Sequence, residues 1–160
     1  MFYSFELEQF LEQAVPERDD LMREMETQAL QETIPVVTPA VGNFLALLVQ
    51  MSQPRNLLEI GTAIGYSTLW LARAAAGYGG KIVTIDLNQD RLHRAEAYFT
   101  RAGFAGQIEA IGGDARKILP NLTDTFDFVF LDAAKGEYSW KIGGYGLSAG
   151  RIPASLRPFG

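Results

Sequence analysis

From residue 56 onwards, the chain alternates short, mainly apolar runs with stretches that carry apolar side chains at helical spacing. The runs predict four strands, over residues 57–61, 81–86, 107–111 and 126–131. The stretches between them predict helices over residues 66–76, 88–101 and 114–120, which end at glycines or a proline. This alternation is typical of βαβ units and predicts an α/β fold with a doubly wound, mostly parallel sheet.

Two further helices are expected before the first strand. Residues 17–31 place apolar side chains at helical spacing among charges, which predicts an amphipathic cap on the main domain. Thr38 followed by Pro39 is a helix-start signal and predicts a second helix to about residue 52. Residues 139–160 contain five glycines, two prolines and no periodic pattern. We therefore expect an N-terminal helical cap (1–36), an α/β domain (37–138) and an irregular tail (139–160).

Composition and charge narrow the class of protein. A chain of 160 residues with 48% hydrophobic residues can form the core of one domain, and the absence of cysteine excludes disulfides and thiolate metal sites. Residues 1–35 hold nine acidic and two basic residues, so the remainder is nearly neutral. Arg91, Arg94 and Arg101 could form a basic stripe, but a solvated helix face is the preferred interpretation. Without a membrane-length apolar run or a signal peptide, a cytoplasmic protein is expected.

The end of the first strand carries the most informative motif. Gly61 and Gly65 predict a tight turn into a helix, which leaves backbone N–H groups and the positive helix terminus facing a ligand. Asp86 ends the second strand, 21 residues beyond Gly65, where a carboxylate can accept both hydroxyls of a ribose. Ala63 occupies the loop where a dinucleotide fingerprint would have its second glycine. The spacing favours S-adenosylmethionine over NAD, and an NAD-binding oxidoreductase is the alternative.

Two more carboxylates adjoin apolar strands. Glu59 would be costly to bury without a partner, so we expect it to order the glycine loop or to face the ligand; a frayed strand edge is the alternative. Asp132 follows the fourth strand at the switch point where ligands bind in such sheets. A hard cation on Asp132 could activate a hydroxyl whose proton Lys135 accepts. The alternative is a helix-capping aspartate beside a surface lysine.

Four blocks of sequence, residues 34–48, 57–67, 85–88 and 126–138, together resemble the metal-dependent, S-adenosylmethionine-dependent O-methyltransferases. This family includes catechol and caffeoyl-CoA methyltransferases. The motifs G-T-A-I-G-Y-S and D-A-A-K-G-E-Y most resemble those of the bacterial branch that methylates hydroxyuridine in tRNA. The resemblance implies a Rossmann-like class I methyltransferase fold, a seven-stranded sheet of order 3-2-1-4-5-7-6. Only four of those strands are visible, which predicts a sheet truncated after strand four.

The resemblance also implies roles for individual residues. The cofactor would be held at its methionine end by Gly61, Gly65 and Ser67, at its ribose by Asp86, and at its adenine edge by Asp114 and Ala115. Asp132 would lie near the cofactor and bind Mg²⁺ or a similar divalent cation, and Lys135 would be the candidate general base.

The family completes its metal site with an Asp-Asn pair from a fifth strand, whereas no Asp or Asn follows Tyr138 here. The expected activity is methyl transfer to a hydroxyl of a small aromatic molecule or of hydroxyuridine in tRNA. The alternative is an inactive, truncated fragment that still binds S-adenosylmethionine. A fourth strand left at the sheet edge predicts self-association or a homodimer.

Overall fold

A four-stranded parallel sheet organises the chain. The structure, a computed structural model, describes residues 10–132 and 152–153. Its strands are β1 (Asn56–Ile60), β2 (Lys81–Asp86), β3 (Ile108–Gly112), β4 (Thr125–Phe126), β5 (Phe128–Leu131) and β6 (Ile152–Pro153). The main sheet has the order β3-β2-β1-β5, and β4 pairs with β6 in a separate antiparallel pair. The predicted α/β fold is confirmed.

Most of the helices begin directly after a residue whose side chain caps them. They are α1 (Asp20–Gln31), α2 (Pro39–Ser52), α3 (Tyr66–Ala75), α4 (Gln89–Arg101) and α5 (Ala115–Ile118). The side chains of Thr38, Asn88 and Asp114 each accept a hydrogen bond from a backbone N–H in the first turn of α2, α4 and α5. Asp19 caps α1, which explains why this helix begins three residues later than predicted.

Successive residues of β1 face two different hydrophobic clusters. Leu57 belongs to the larger one, which includes side chains from α1 to α4. Leu58 and Ile60 belong to the smaller one, which Leu119 and Phe126 help to form. Both faces of the sheet are therefore covered, and this explains why its strands are apolar runs without alternation.

Ion pairs join the acidic helix α1 to α3 and α4. The Arg94 guanidinium donates two hydrogen bonds to Glu32, at 2.7 and 2.9 Å. Arg101 is paired with Glu24 in the same two-point way. The face that was interpreted as solvated is indeed exposed at these ion pairs, but the sequence did not predict that Arg94 and Arg101 pair with carboxylates. Their positive charges partly balance the acidic excess of the N-terminal region. Such exposed ion pairs stabilise a fold only modestly.

Two further features differ from the prediction for identifiable reasons. The strand expected over residues 126–131 is interrupted at Asp127, whose side chain accepts hydrogen bonds from the backbone N–H groups of Arg55 and Asn56. Residues 152–153 form β6 within the tail that was expected to be irregular. The rest of that tail lies outside the described residues. In the part of the chain that the structure describes, no helix is both long and apolar enough to cross a membrane.

The contact between α2 and α3 depends on a glycine. A Cβ added at Gly42 would lie 2.4 Å from Nε1 of Trp70. We expect Gly42→Ala to lower the free energy of unfolding by about 1–3 kcal/mol, because the indole would have to leave a packed interface. Gly77→Ala is the matched control, since nothing lies within 4 Å of its added Cβ. Urea denaturation measures both, and equal midpoints would contradict the prediction.

Candidate functional site

The loop between β1 and α3 passes through the left-handed region three times. Gly61 has a φ of 105°, Ala63 of 46° and Gly65 of 87°. The conformation at Ala63 costs a non-glycine residue about 1–2 kcal/mol and must be stabilised by its surroundings. Gly65 allows no side chain, because a Cβ there would lie 2.4 Å from Cε1 of Phe99. The loop therefore has a fixed shape that leads into the N-terminus of α3.

Asp86 holds this loop from the carboxyl end of β2. Its Oδ2 accepts the backbone N–H of Ala63 at 2.7 Å, and its Oδ1 accepts that of Asn88 at 2.8 Å. A carboxylate offers about four lone-pair positions, so the Asp86 side chain can still accept from further donors. The structure thus brings together the glycine loop and the acidic residue that the sequence spacing paired. That Asp86 binds a ribose stays a prediction.

Glu59 lies beneath the same loop and is completely buried. Its carboxyl group accepts hydrogen bonds from Ser67 Oγ at 2.6 Å, from Thr84 Oγ1 at 2.7 Å and from Thr68 Oγ1. Burial raises the pKa of Glu59 to about 7, against the opposing effect of these three donors; the charge of Asp132 raises it further. The frayed-edge alternative was wrong, and these contacts support a role in ordering the loop.

The sequence analysis identified Glu59 and Ser67 but missed the other hydroxyl groups around them. Thr84 stands opposite Glu59 in the register of β1 and β2, and its hydroxyl also shares a hydrogen bond of 2.6 Å with Thr62. The sequence signal that could have identified Thr84 is the presence of a threonine within an otherwise apolar strand. The Ser67 hydroxyl donates its hydrogen bond to Glu59, so its oxygen can still accept a hydrogen bond from a ligand.

Asp114 and Ala115 follow β3, next to Asp86. The neighbouring Gly113 N–H donates to the Asp86 carbonyl at 2.8 Å, which places the end of β3 beside that of β2. The carboxylate of Asp114 accepts the backbone N–H and the guanidinium of Arg116, which lowers the pKa of Asp114 to about 2. The arrangement would let an adenine lie beside a ribose bound at Asp86, and this assignment remains a prediction.

Asp132 is placed at the carboxyl end of β5, as the sequence predicted. Its backbone N–H donates to the Ile60 carbonyl at 2.8 Å, and partial burial raises the pKa of its side chain. Within residues 10–132, no three histidine or carboxylate side chains are grouped so that they could hold a metal ion. The described residues therefore do not fit a complete magnesium site. Lys135 lies outside the described residues.

Comparisons of sequence support a single family. A family model described as O-methyltransferase matches residues 12–142. A catechol O-methyltransferase of Niastella koreensis is 39% identical over 107 residues, which are 64% of this chain and 48% of the relative. A catechol O-methyltransferase of Mycobacterium tuberculosis is 43% identical over 62% of this chain and 45% of its own length. This chain spans about half the length of the curated relatives it matches.

Solved structures of O-methyltransferases are also similar to this chain. An O-methyltransferase from Bacillus cereus in complex with S-adenosylhomocysteine (SAH) superposes with a TM-score of 0.73 at 34% identity, over 81% of this chain and 61% of that chain. The O-methyltransferase TomG from Streptomyces achromogenes, in complex with S-adenosylmethionine, has a TM-score of 0.73 at 33% identity. That match covers 81% of this chain and 60% of TomG.

The buried carboxyl group predicts a pH dependence of stability. An unfolded chain releases the Glu59 proton near pH 4.5, whereas the folded chain keeps it to about pH 7. The free energy of unfolding should therefore fall as the pH rises between these values, by on the order of 3 kcal/mol, and should level off above pH 7. Urea denaturation between pH 4.5 and 8 measures this dependence.

Glu59→Gln is the control, because glutamine does not titrate. Burial also raises the pKa of Asp132 and adds a slope in the same direction, but Asp132 is present in both proteins, so their difference reports Glu59 together with its interaction with Asp132. Parallel pH profiles for the two proteins would contradict the prediction.

Proposed function

This chain belongs to the O-methyltransferase family, and on that premise we propose that the carboxyl edge of its sheet binds S-adenosylmethionine for methyl transfer to a hydroxyl group. The observation that carries the proposal is the hydrogen bond from Ala63 N–H to Asp86, which joins the glycine loop to a carboxylate on the next strand. We assign the methionine end of the cofactor to Gly61, Gly65 and Ser67. The ribose is assigned to Asp86, and the adenine edge to Asp114 and Ala115.

The physical character of this edge suits the cofactor. The first N–H groups of α3 have no intrahelical acceptors, and the positive end of the helix favours the carboxylate of the methionine part. Asp86 has lone pairs left for two ribose hydroxyls. S-adenosylmethionine carries no phosphate, so it does not need the second glycine that a dinucleotide requires at the position of Ala63.

The proposed reaction is an in-line displacement. The acceptor oxygen attacks the methyl carbon, the bond between carbon and sulfur breaks with its electron pair moving to sulfur, and the cofactor leaves as SAH. Catalysis then consists mainly of holding the two reactants in line and removing the hydroxyl proton. Lys135 is the proposed general base. Asp132 is proposed to lie beside the cofactor. We derive no step through a metal ion, because the described residues do not supply its ligands.

A small hydroxylated aromatic molecule is the acceptor that we favour. The relatives reported above are named catechol O-methyltransferases, and they support this class by similarity. Hydroxyuridine in tRNA is the second possibility, but a tRNA needs cationic side chains for its phosphates. Arg94 and Arg101 are already paired with carboxylates of α1, so they contribute little to such a surface.

A second candidate function is cofactor binding without turnover. It is favoured by the surroundings of Asp132, since among the described residues no group of three histidine or carboxylate side chains could hold a metal ion there. Binding of SAH with no methyl transfer to catechol, in the presence of Mg²⁺, would support this candidate. Metal-dependent turnover above about 1 per second would exclude it.

The cofactor assignment is tested by calorimetry. We expect the 160-residue chain to bind SAH, and Asp86→Ala to weaken binding by about 1.5–3 kcal/mol through loss of charge-assisted hydrogen bonds. Asp124→Ala, at an exposed acid before β4, should bind like the parent. Equal affinity of Asp86→Ala and the parent would exclude the ribose assignment. A parent chain that binds NADH but not SAH would overturn the proposed cofactor.

We also propose that the chain associates with itself through β5. Among the described residues, β5 pairs with β1 alone, so its other edge presents unpaired backbone groups. Light scattering should show dimers or larger species. Val129→Lys on β5, at a partly buried position, should shift them towards monomer. A monodisperse parent monomer would show that this edge is covered.

A further inference from the structure

A hydrogen bond connects helix α1 to the residue that directly follows the glycine loop. Tyr66 is the first residue of α3 and directly follows Gly65. Its hydroxyl donates to Oε1 of Glu26 at 2.5 Å, and its side chain is almost completely buried. Glu26 belongs to α1 and lies 40 residues earlier in the chain. The loop that we assign to the cofactor is therefore connected to an element outside the sheet.

The acceptor in this hydrogen bond is itself held in place. Nε of Arg18 donates to Oε1 of Glu26 at 3.0 Å, and its Nη2 donates to Oε2 at 3.3 Å. These two side chains are only about a quarter exposed, at 23% and 24%. A carboxylate fixed by a guanidinium fork loses little freedom when it accepts a third donor, so the Tyr66 hydroxyl meets an ordered partner.

The ring that carries the hydroxyl is fixed as well. Tyr66 packs edge to face against Trp70, with 6.4 Å between the ring centroids and an angle of 78° between the planes. Trp70 in turn lies against Gly42 of α2, where no side chain would fit. Burial and the Glu26 carboxylate raise the pKa of Tyr66 well above its usual value, so the hydroxyl remains a donor. The ring and its partner thus define one position for the start of α3.

Strained loops keep their shape only where the surrounding structure determines it. The strained loop here is held at Ala63 by Asp86 and at Ser67 by Glu59, both on the sheet. The contact between Tyr66 and Glu26 holds the residue directly after the loop from helix α1. We infer that Glu26 and Tyr66 form a latch through which the docking of α1 sets the position of the glycine loop. Both are positioning residues for the cofactor, and this role rests on the proposed function.

The latch differs from the other contacts of α1. Glu24 on α1 and Glu32, which caps the C-terminus of α1, are also paired with arginines, but these arginines belong to α4 and not to the helix that follows the glycine loop. If α1 acts on the loop through the latch, cofactor affinity depends on the Glu26 contact and not on the ion pairs that join α1 to α4. This difference separates a positioning role from a purely structural one.

The test measures SAH affinity and thermal unfolding of the same variants, with calorimetry at a temperature where all remain folded. Tyr66→Phe should weaken SAH binding about fivefold, the effect of one hydrogen bond. Glu26→Ala should weaken it by a similar factor. The double variant should bind no more weakly than the weaker of the two single variants, because both changes break the same contact.

Two controls match these changes. Glu24→Ala removes a carboxylate from the same helix, and Tyr78→Phe removes a hydroxyl that contacts the Val49 carbonyl, far along the chain from the loop. Both should alter SAH affinity less than twofold, even where they lower the unfolding temperature. If Glu26→Ala does not fold, the comparison of SAH affinity between Tyr66→Phe and Tyr78→Phe tests the inference.

The outcomes distinguish this inference from the proposed function. A parent chain that does not bind SAH contradicts the proposed function itself. A parent that binds SAH, together with a folded Tyr66→Phe variant of equal affinity, overturns the latch alone. The latch is also overturned if Glu24→Ala weakens SAH binding as much as Glu26→Ala does.

Discussion

The glycine loop and the start of α3 depend on one constraint, which is a carboxyl group buried near the end of β1. Glu59 has no exposed surface, and an unpartnered carboxyl group in such a position would be prohibitively costly. It is tolerated because three hydroxyl groups from two other elements converge on it. Two of them, on Ser67 and Thr68, belong to the first turn of α3, so the same hydrogen bonds that satisfy the carboxyl group fix where this helix begins.

The shape of the glycine loop follows from that constraint. Five residues, 61–65, must connect the end of β1 to a helix start that is already fixed, and three of them adopt positive φ values. Glycine accepts this conformation without cost at two positions, while Ala63 requires the hydrogen bond to Asp86. The carboxylate of Asp86 therefore shapes the loop before any ligand is considered. Under the proposed function, its contribution to cofactor binding includes this preorganisation as well as direct contact.

The sequence predicted the features that have a local signal. Periodicity indicated the parallel strands and their helices, and the capping residues Thr38 and Asn88 marked two helix starts correctly. Features that arise from pairing of distant residues were missed. Asp127 interrupts a strand because of backbone groups some 70 residues earlier, and Arg94 and Arg101 find their carboxylates on α1 more than 60 residues away. Charge counts showed the acidic excess, but only the packing of α1 on α4 showed where it is neutralised.

The site divides into two parts of unequal completeness. The groups suited to the cofactor come from the ends of β1, β2 and β3, which are adjacent in the sheet and hold one another through backbone hydrogen bonds. The groups suited to the methyl acceptor would lie on the other side of the switch point, where the described residues provide Asp132 at the end of β5. Under the proposed function, cofactor affinity depends on the first part and on the contact of Tyr66 with α1, whereas turnover requires the acceptor side as well. Binding and catalysis are therefore physically separable in this fold, and the two candidate functions correspond to the first part acting alone or together with the second.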